Sequence, residues 1–246
     1  MKLLILSDIH GNLNALKEVI TYIKDKKLDA LALLGDFIDY CPHSNEVVEL
    51  ISELNLPVLC NIRGNHERAI LNDDYTRFSS PRGAESAKYT KSILTEKTFE
   101  YLTNKTIPSG KYEFSIEDKK ILAVHGTLED EFWGKFDCTK DLSAYSAYDI
   151  VLMGHSHRPV YYEAFFSCDN KATRNQKKTI FINPGSVGQP RNLNNNSQFA
   201  IFDTKTEYCE LIKLPYNICE EQKAFSDKID NFYKTRLEAG IWKNYM

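Results

Sequence analysis

Short apolar runs recur along the 246-residue chain, and most are bounded by polar turns. Near-continuous hydrophobicity of this kind is typical of strands that are covered on both faces of a sheet. Apolar residues at helical spacing separate the first three runs, which predicts a βαβαβ arrangement for the N-terminal part. The runs lie at 3–6, 31–34, 57–60, 112–116, 121–124, 150–153, 160–166, 179–182, 199–202 and 210–214.

The pattern changes after the third run. Residues 82–104 carry few strand signals and predict one or two helices. From residue 112 onward strand-like runs follow one another closely, which indicates a second sheet packed on the first. Residues 169–178 are polar and basic and predict an exposed hairpin loop. The spacing from 218 to 236 predicts one C-terminal amphipathic helix, and we expect a single domain over residues 1–246.

Composition narrows the class of protein. The 42% hydrophobic and 26% charged fractions exclude a largely disordered or membrane-embedded chain. A net charge of -3 gives no electrostatic reason to expect a stable nucleic-acid complex or binding to a membrane surface. The six cysteines form no C-x-x-C pair, so we expect reduced thiols and a cytoplasmic protein.

Histidine is concentrated where the strand-like runs end. Five of the six histidines stand in such turns, together with Asp or Asn, and only His43 lies outside them, in a loop expected to be solvated. In open α/β sheets the carboxyl ends of strands form the ligand crevice, so these turns are expected to converge. The candidate ligands are Asp8, His10, Asp36, Asn65, His125, His155 and His157.

This ligand set indicates a metal centre. Imidazole and carboxylate together suit Zn, Mn, Fe or Ni, and the absence of cysteine from these turns argues against a thiolate structural zinc site. Seven side chains are too many for one ion that keeps room for substrate. Two ions roughly 3.5–4 Å apart that share one carboxylate would use them all.

Each turn also has a structural explanation when it is taken alone. Asp8 and His10 precede an apolar helical pattern and suit a helix N-cap region. Asp36 suits a loop-capping role. His155 and His157 are harder to explain in this way, because residues two apart on an extended segment face the same side.

The turns, in this order, resemble the calcineurin-like metallophosphoesterase superfamily, whose signature is D-x-H, G-D, G-N-H-[DE], H and G-H-x-H. Residues 183–191 resemble a loop of its small bacterial and archaeal members. The resemblance implies a four-layer α/β/β/α sandwich of two mixed sheets with a dinuclear site between them. The matching segments are Asp8-Ile9-His10, Gly35-Asp36, Gly64-Asn65-His66-Glu67, His125 and Gly154-His155-Ser156-His157.

The resemblance also implies a role for each residue. Asp36 would bridge the ions, and His66 would stand beside the phosphate as a general acid or as a donor to the leaving oxygen. The ions would be two divalent metals, Mn first, with Fe, Zn, Ni or Co as alternatives. The implied reaction is hydrolysis of a phosphodiester or phosphomonoester by a hydroxide that bridges the metals. The implied ligand sets are Asp8, His10, Asp36 and His157 for one ion and Asp36, Asn65, His125 and His155 for the other.

Arg63 and Asn65 are expected to contact a small phosphate-ester substrate. Arg63 matches an arginine that grips phosphate in Ser/Thr protein phosphatases, but those enzymes carry a second arginine where this chain has Tyr40. The difference favours a phosphodiesterase-like site. A protein phosphatase, a dinucleoside-polyphosphate hydrolase and a non-catalytic scaffold subunit stay open as alternatives. The roles of Arg191 and of the 169–178 loop, and the oligomeric state, stay open too.

Overall fold

The computed structural model describes residues 1–240 of the chain. In this range ten strands form two sheets of five. The strands are β1 (Lys2–Leu6), β2 (Ala30–Leu33), β3 (Val58–Asn61), β4 (Lys111–Ile116), β5 (Lys119–Val124), β6 (Ile150–Met153), β7 (Pro159–Ser167), β8 (Gln176–Pro184), β9 (Ser197–Asp203) and β10 (Tyr208–Leu214). The helices are α1 (Leu13–Ile23), α2 (Ser44–Ser52), α3 (Asn65–Asn72), α4 (Pro81–Ile93), α5 (Glu96–Asn104), α6 (Ile218–Lys223) and α7 (Asn231–Ala239).

Both sheets are mixed, as predicted. The first has the order β10-β9-β1-β2-β3, in which β1, β2 and β3 run parallel and β9 and β10 run antiparallel to their neighbours. The second has the order β4-β5-β6-β8-β7, with β5, β6 and β8 parallel. Each sheet therefore gathers the carboxyl ends of three strands at one edge, and the candidate ligands follow five of these six ends.

Alternation along the strands sorts the core into layers. Leu4 and Leu6 of β1 pack with the helices on the outer face of the first sheet. Leu3 and Ile5 point the other way and pack against the second sheet, where they meet residues such as Ile121 of β5. The two sheets thus lie face to face with a shared apolar core, which confirms the predicted sandwich of two mixed sheets.

The outer face of the second sheet is covered without a regular helix. Residues 128–148 cross it as an irregular segment whose one helical feature is a 3-10 turn at Ser143–Tyr145. Large rings take the place of a helix here, since Phe136 and Tyr145 pack on Phe181 with ring centroids 5.0 and 5.3 Å apart. The fourth layer is therefore built from loop and aromatic side chains.

The prediction of one C-terminal helix is wrong. The chain forms α6 and α7 instead, separated by residues 224–230. Asp230 begins the second helix by accepting a hydrogen bond from the backbone N–H of Phe232 at 2.8 Å. The break redirects the chain so that Tyr233 is buried and reaches the edge where the ligands lie. Residues 241–246, the end of the predicted domain, lie outside the described residues.

His43 is not in a solvated loop. Its ring is half-buried, and Nδ1 lies 2.8 Å from Oε1 of Glu221, a fully buried carboxylate on α6. The same carboxylate accepts hydrogen bonds from the backbone and side-chain N–H groups of Asn14. The bond to Glu221 raises the pKa of His43, although burial opposes the rise. This contact ties α6 to the starts of α1 and α2.

The basic loop joins β7 and β8 as predicted, but it is shorter. Both Lys177 and Lys178 belong to β8, and Lys178 forms an ion pair with Glu207 at 2.6 Å. No helix among residues 1–240 has the length and hydrophobicity needed to cross a membrane.

Candidate metal centre

The seven predicted ligand side chains converge where the strands of both sheets end, and all are buried. They form two groups, within each of which one ligand atom per residue lies within 4.8 Å of the others. Asp36 belongs to both groups, so its carboxylate lies between them. Asn65 joins the second group, since its Oδ1 is 3.0 Å from Nε2 of His125 and 2.9 Å from Nδ1 of His155. The groups are Asp8, His10, Asp36 and His157, and Asp36, His125 and His155.

The backbone is strained at most of these ligands. Positive φ is rare for residues other than glycine, and each such residue has a conformational cost of about 1–3 kcal/mol. Hydrogen bonds between the ligand turns hold the conformation, since the N–H groups of Asp8 and His10 donate to the carbonyl oxygens of Gly35 and Asp36 at 3.0 and 2.9 Å. The φ angles are 53° at Asp8, 50° at His10, 55° at Asp36, 60° at His155 and 56° at His157.

Hydrogen-bond acceptors face one another in the first group. Nδ1 of His10 lies 3.2 Å from the carbonyl oxygen of Ile38, and Nδ1 of His157 lies 2.5 Å from that of Gln189. Carbonyl oxygens only accept, so each ring carries its proton on Nδ1 and a lone pair on Nε2. These two Nε2 atoms are 3.1 Å apart, and buried Oδ1 of Asp8, which makes no hydrogen bond, lies 3.1 Å from the His157 Nε2. A cation between them would satisfy all three atoms.

The second group repeats the pattern. Nδ1 of His125 donates to the carbonyl oxygen of Leu34 at 2.6 Å, so Nε2 is the ring nitrogen that faces Oδ1 of Asn65. Oδ2 of Asp36 lies 3.3 Å from the same Nε2. Backbone carbonyls that fix the ring orientation in this way are typical of histidines that bind metals. The donor atoms of both groups therefore fit divalent cations.

The pKa shifts follow from burial and from the shared carboxylate. Burial lowers the pKa values of His10, His155 and His157 well below the ordinary value, so these rings are in the neutral form that binds metals. Burial also acts to lower the pKa of His125, but the Asp36 carboxylate outweighs it and raises the value to about 9. Burial would raise the pKa of Asp36, yet the neighbouring histidines, His125 first, hold it well below its usual range. The centre favours positive charge beside Asp36.

Glu67 holds the Asp36 turn in place, a role that the sequence did not reveal. Its buried carboxylate accepts the backbone N–H groups of Asp36, Phe37, Ile38 and Gly64 at 2.8, 2.7, 3.2 and 2.9 Å. The sequence feature that could have indicated this role is the glutamate at the last position of the G-N-H-E segment. A glutamate in the first turn of a helix is already explained by the helix dipole, so the sequence offers no reason to look for a second role.

Two glycines allow the turns to approach each other. Gly35 has φ +88°, and a Cβ atom there would collide with the backbone of Gly64. The close approach brings Oδ1 of Asp36 within 2.9 Å of the His66 backbone N–H, which donates to it. The ligand from β2 is thereby fixed to the start of α3.

His66 lies beside the ligands and is held by Asp39. Its Nδ1 donates to Oδ2 of Asp39 at 2.6 Å, and its Nε2 is 4.0 Å from Oδ2 of Asp36. Oδ1 of Asp39 accepts the hydroxyl groups of Ser86 and Thr90 on α4 at 2.6 and 3.0 Å. Burial would lower the pKa of His66, but the carboxylates of Asp36 and Asp39 raise it above the ordinary value. The geometry leaves Nε2 facing the centre with a buried carboxylate behind the ring.

Aromatic rings wall the centre. Tyr40 lies over His10 and His66, at centroid distances of 4.6 and 4.4 Å, and stacks on Tyr233 of α7 at 4.4 Å. Burial raises the pKa of Tyr40 to about 12, so its hydroxyl is neutral. On the other side Trp133 packs 5.8 Å from His155. Where the protein phosphatases have an arginine, this chain has a neutral ring.

The contacts of Arg63 do not support its expected role in gripping phosphate. Its Nη2 donates to the carbonyl oxygens of Leu102 and Thr103, both at 3.0 Å, and its Nε donates to the hydroxyl of Thr106 at 2.9 Å. The last carbonyls of a helix have no partner within the helix and attract cations. Arg63 therefore caps the end of α5, which explains why the guanidinium is directed to the helix.

Arg191, which the sequence left without a role, borders the centre. It is buried, its backbone N–H donates to the carbonyl oxygen of His157 at 3.2 Å, and its Nη2 donates to Oε1 of Gln189 at 3.3 Å. Arg236 of α7 is also buried, and burial first and then the charge of Arg191 lower its pKa to about 9. Two buried guanidinium groups thus add positive charge next to the first ligand group.

Two mixed sheets that bring His, Asp and Asn ligands together at their joined edge define the metallophosphoesterase class. The chain belongs to the calcineurin-like phosphoesterase superfamily, whose domain model matches residues 1–207. It is 30% identical over 233 residues to an uncharacterised protein of Methanocaldococcus jannaschii, a match that covers 92% of this chain and 91% of the relative.

Solved structures agree with this assignment. A metallophosphoesterase from Sphaerobacter thermophilus superposes with a TM-score of 0.72 at 25% identity, covering 98% of this chain and all (100%) of the other. A hypothetical protein from Pyrococcus horikoshii superposes with a TM-score of 0.76 at 22% identity, covering 97% and 98% of the two chains. At 22% identity, the similarity to the Pyrococcus horikoshii protein shows a shared fold alone.

Proposed function

We propose that this chain hydrolyses a phosphodiester or a phosphomonoester with two divalent cations bound by the seven ligand side chains. One ion would be bound by Asp8, His10, Asp36 and His157, and the other by Asp36, Asn65, His125 and His155. The observation that carries the proposal is the facing of buried acceptor atoms, with Nε2 of His10 and of His157 3.1 Å apart. We propose Mn²⁺ first, with Fe, Zn, Ni or Co as alternatives, because a ligand set of nitrogen and oxygen accepts each of them.

The chemistry that bound ions would supply is activation of water for attack on phosphorus and neutralisation of charge on the phosphoryl oxygens. The chain's own residues complete the reaction. His66 holds a proton on Nε2 toward the leaving oxygen, and Asp39 keeps the ring oriented through Nδ1. Asn65, the first residue of α3, has its side chain at the second ligand group and is proposed to contact the substrate as well. Because both sheets supply ligands, we propose that the chain acts as one domain.

The contacts favour a small phosphate ester over a phosphoprotein substrate. Two observations support this preference over a protein-phosphatase-like pair of arginines: Tyr40 stands at one of the two positions, and Nη2 of Arg63 donates to carbonyl oxygens of α5. A scaffold role is disfavoured because each of the seven ligand positions carries a side chain able to bind metal. Hydrolysis of dinucleoside polyphosphates stays an alternative that a substrate panel separates.

The test is reconstitution of activity. Protein stripped with a chelator and reloaded with Mn²⁺ should hydrolyse bis(4-nitrophenyl) phosphate or 4-nitrophenyl phosphate, while the stripped protein should not. His66→Ala should slow turnover and leave the metal content near that of the wild type. The exposed substitution Lys171→Gln, on the β7–β8 loop, is the control and should change neither. No turnover with any of the five metals would contradict the proposal.

A further inference from the structure

A cavity of about 650 Å³ opens beside the metal centre. Its wall includes Ser156, which lies between the ligands His155 and His157. The cavity and the metal centre are therefore two sides of the same loop between β6 and β7. A substrate that reaches both would place its scissile phosphoryl group at the ligands and another part of its structure in this space.

The charged side chains of the cavity wall are mainly cationic. Lys135, Lys140 and Arg158 line it, with Asp137 as the acidic residue of the wall. The Asp137 carboxylate already accepts the backbone N–H and the hydroxyl of Thr139 at 3.0 and 2.7 Å. Three positive charges against one carboxylate leave the wall with a net positive charge.

The cations of the cavity wall also lie close to the metal centre. Nε of Arg158 donates to the carbonyl oxygen of Arg191 at 3.2 Å, and the backbone N–H of Arg191 donates to the carbonyl oxygen of the ligand His157. Burial lowers the pKa of Lys135, and the charges of Arg191 and Arg158 lower it further. Like charges that repel one another across a cavity are stabilised by an anion that bonds to several of them.

We propose that this cavity, the basic subsite formed by Lys135, Lys140, Ser156 and Arg158, binds a second phosphate group carried by the substrate. The inference rests on the proposed function and makes it narrower. The preferred substrates are phosphate esters that carry another phosphate on the group retained next to the scissile bond. A neutral group in the same place gains none of these charge-assisted bonds.

The test compares two substrates that share their scissile bond and their leaving group. Thymidine 5′-(4-nitrophenyl phosphate) and its 3′-phosphorylated derivative both release 4-nitrophenolate and differ by one phosphate. One charge-assisted hydrogen bond contributes about 1.5–3 kcal/mol, so the derivative should have a kcat/KM higher by about 10-fold or more, mainly through KM. The ratio should fall as salt rises, because partly exposed charges are screened.

The variant Lys135→Gln/Arg158→Gln should bring the ratio of the two substrates to within about 2-fold of unity. The control Lys171→Gln should keep the wild-type ratio, since this lysine lies on the exposed β7–β8 loop. Equal kcat/KM values in the wild type, or a ratio unchanged in the double variant, would overturn the subsite while leaving the phosphoesterase proposal intact.

If neither substrate is hydrolysed, that result counts against the proposed function. A binding measurement then still tests the basic subsite. Calorimetry on Mn²⁺-loaded protein should find thymidine 3′,5′-bisphosphate bound about 10-fold more tightly than thymidine 5′-monophosphate. The double variant should lose that difference. Equal dissociation constants in the wild type would refute the basic subsite.

Discussion

Replacing Asp39 with Asn should remove the ability of His66 to act as a general acid without moving its ring. Oδ2 of Asp39 accepts Nδ1–H of His66 at 2.6 Å, while Oδ1 accepts the backbone N–H of Tyr40 at 2.7 Å and the hydroxyl groups of Ser86 and Thr90. In Asp39→Asn the amide oxygen can keep the three Oδ1 bonds, and the NH₂ group then faces Nδ1. That NH₂ group only donates, so Nδ1 must become an acceptor and the ring cannot carry a proton on both nitrogens.

The size of the loss depends on the leaving group. A positioned general acid contributes about 10²–10⁴-fold, and it does so only where the departing oxygen needs a proton. A phosphodiester with an alkyl leaving group should therefore lose about 100-fold or more in kcat. A 4-nitrophenyl ester, which departs readily as the phenolate, should lose less than about 10-fold. The lost charge-assisted bond should also lower the free energy of unfolding by about 2 kcal/mol.

The assay is steady-state kinetics on the two substrates, with urea denaturation to follow stability. Thr90→Val is the matched control, because it removes one bond to Oδ1 and leaves the bond to His66 in place. In a His66→Ala background the Asp39→Asn change should have almost no further effect on kcat, as expected for residues that act as a unit. Equal losses for both leaving groups, or additive losses in the double variant, would refute the reasoning.

Four further changes test other parts of the structure. Asp36→Asn removes the carboxylate shared by both ligand groups, so activity and most of the bound metal should be lost, and the rise in Tm on adding Mn²⁺ should shrink; elemental analysis and a thermal shift assay measure this. Glu67→Gln places an NH₂ group against backbone donors and should lower the free energy of unfolding by about 3 kcal/mol or more in urea. Arg63→Gln should lower it by about 1–2 kcal/mol and leave kcat/KM within about 2-fold; a large rise in KM would restore the phosphate-gripping role. His43→Gln should destabilise the protein by up to about 1 kcal/mol near pH 6, and the difference should be smaller at pH 9, because a raised pKa adds stability below the ordinary value that is lost as pH rises through the raised one. Chemical denaturation at the two pH values checks the last change, and a difference that grew with pH would contradict the assigned contact with Glu221.

Much of the candidate site followed from where apolar runs end. Runs such as 3–6 and 150–153 are apolar at every position, which is typical of strands buried on both faces of a sheet. The polar residues that follow such strands lie at the edge of the sheet where ligands bind. That logic located Asp8 and His155 without any knowledge of the packing. The close succession of runs after residue 112 also predicted a second sheet packed on the first, whereas the mixed character of both sheets was implied by the resemblance.

Long-range partners could not be predicted in the same way. The direction of the Arg63 side chain depends on the end of α5, which lies about 40 residues later in the sequence. The C-terminal pattern of apolar residues fits one helix, but the Asp230 cap and the burial of Tyr233 against Tyr40 favour two. Periodicity reports which face is apolar and does not report what that face meets.

The strained ligand turns show why the site lies between the two sheets. A residue such as His157, with φ 56°, keeps its conformation only if the surroundings fix it, and its partner Gln189 follows β8 while its neighbour His10 follows β1. Contacts from both sheets therefore hold the ligands, such as the His125 bond to the carbonyl oxygen of Leu34 and the His155 N–H bond to Asp8. Separating the sheets would release the strain and the ligand geometry together, so the shared core of Ile5, Ile121 and their neighbours is as necessary to the metal centre as the ligands themselves.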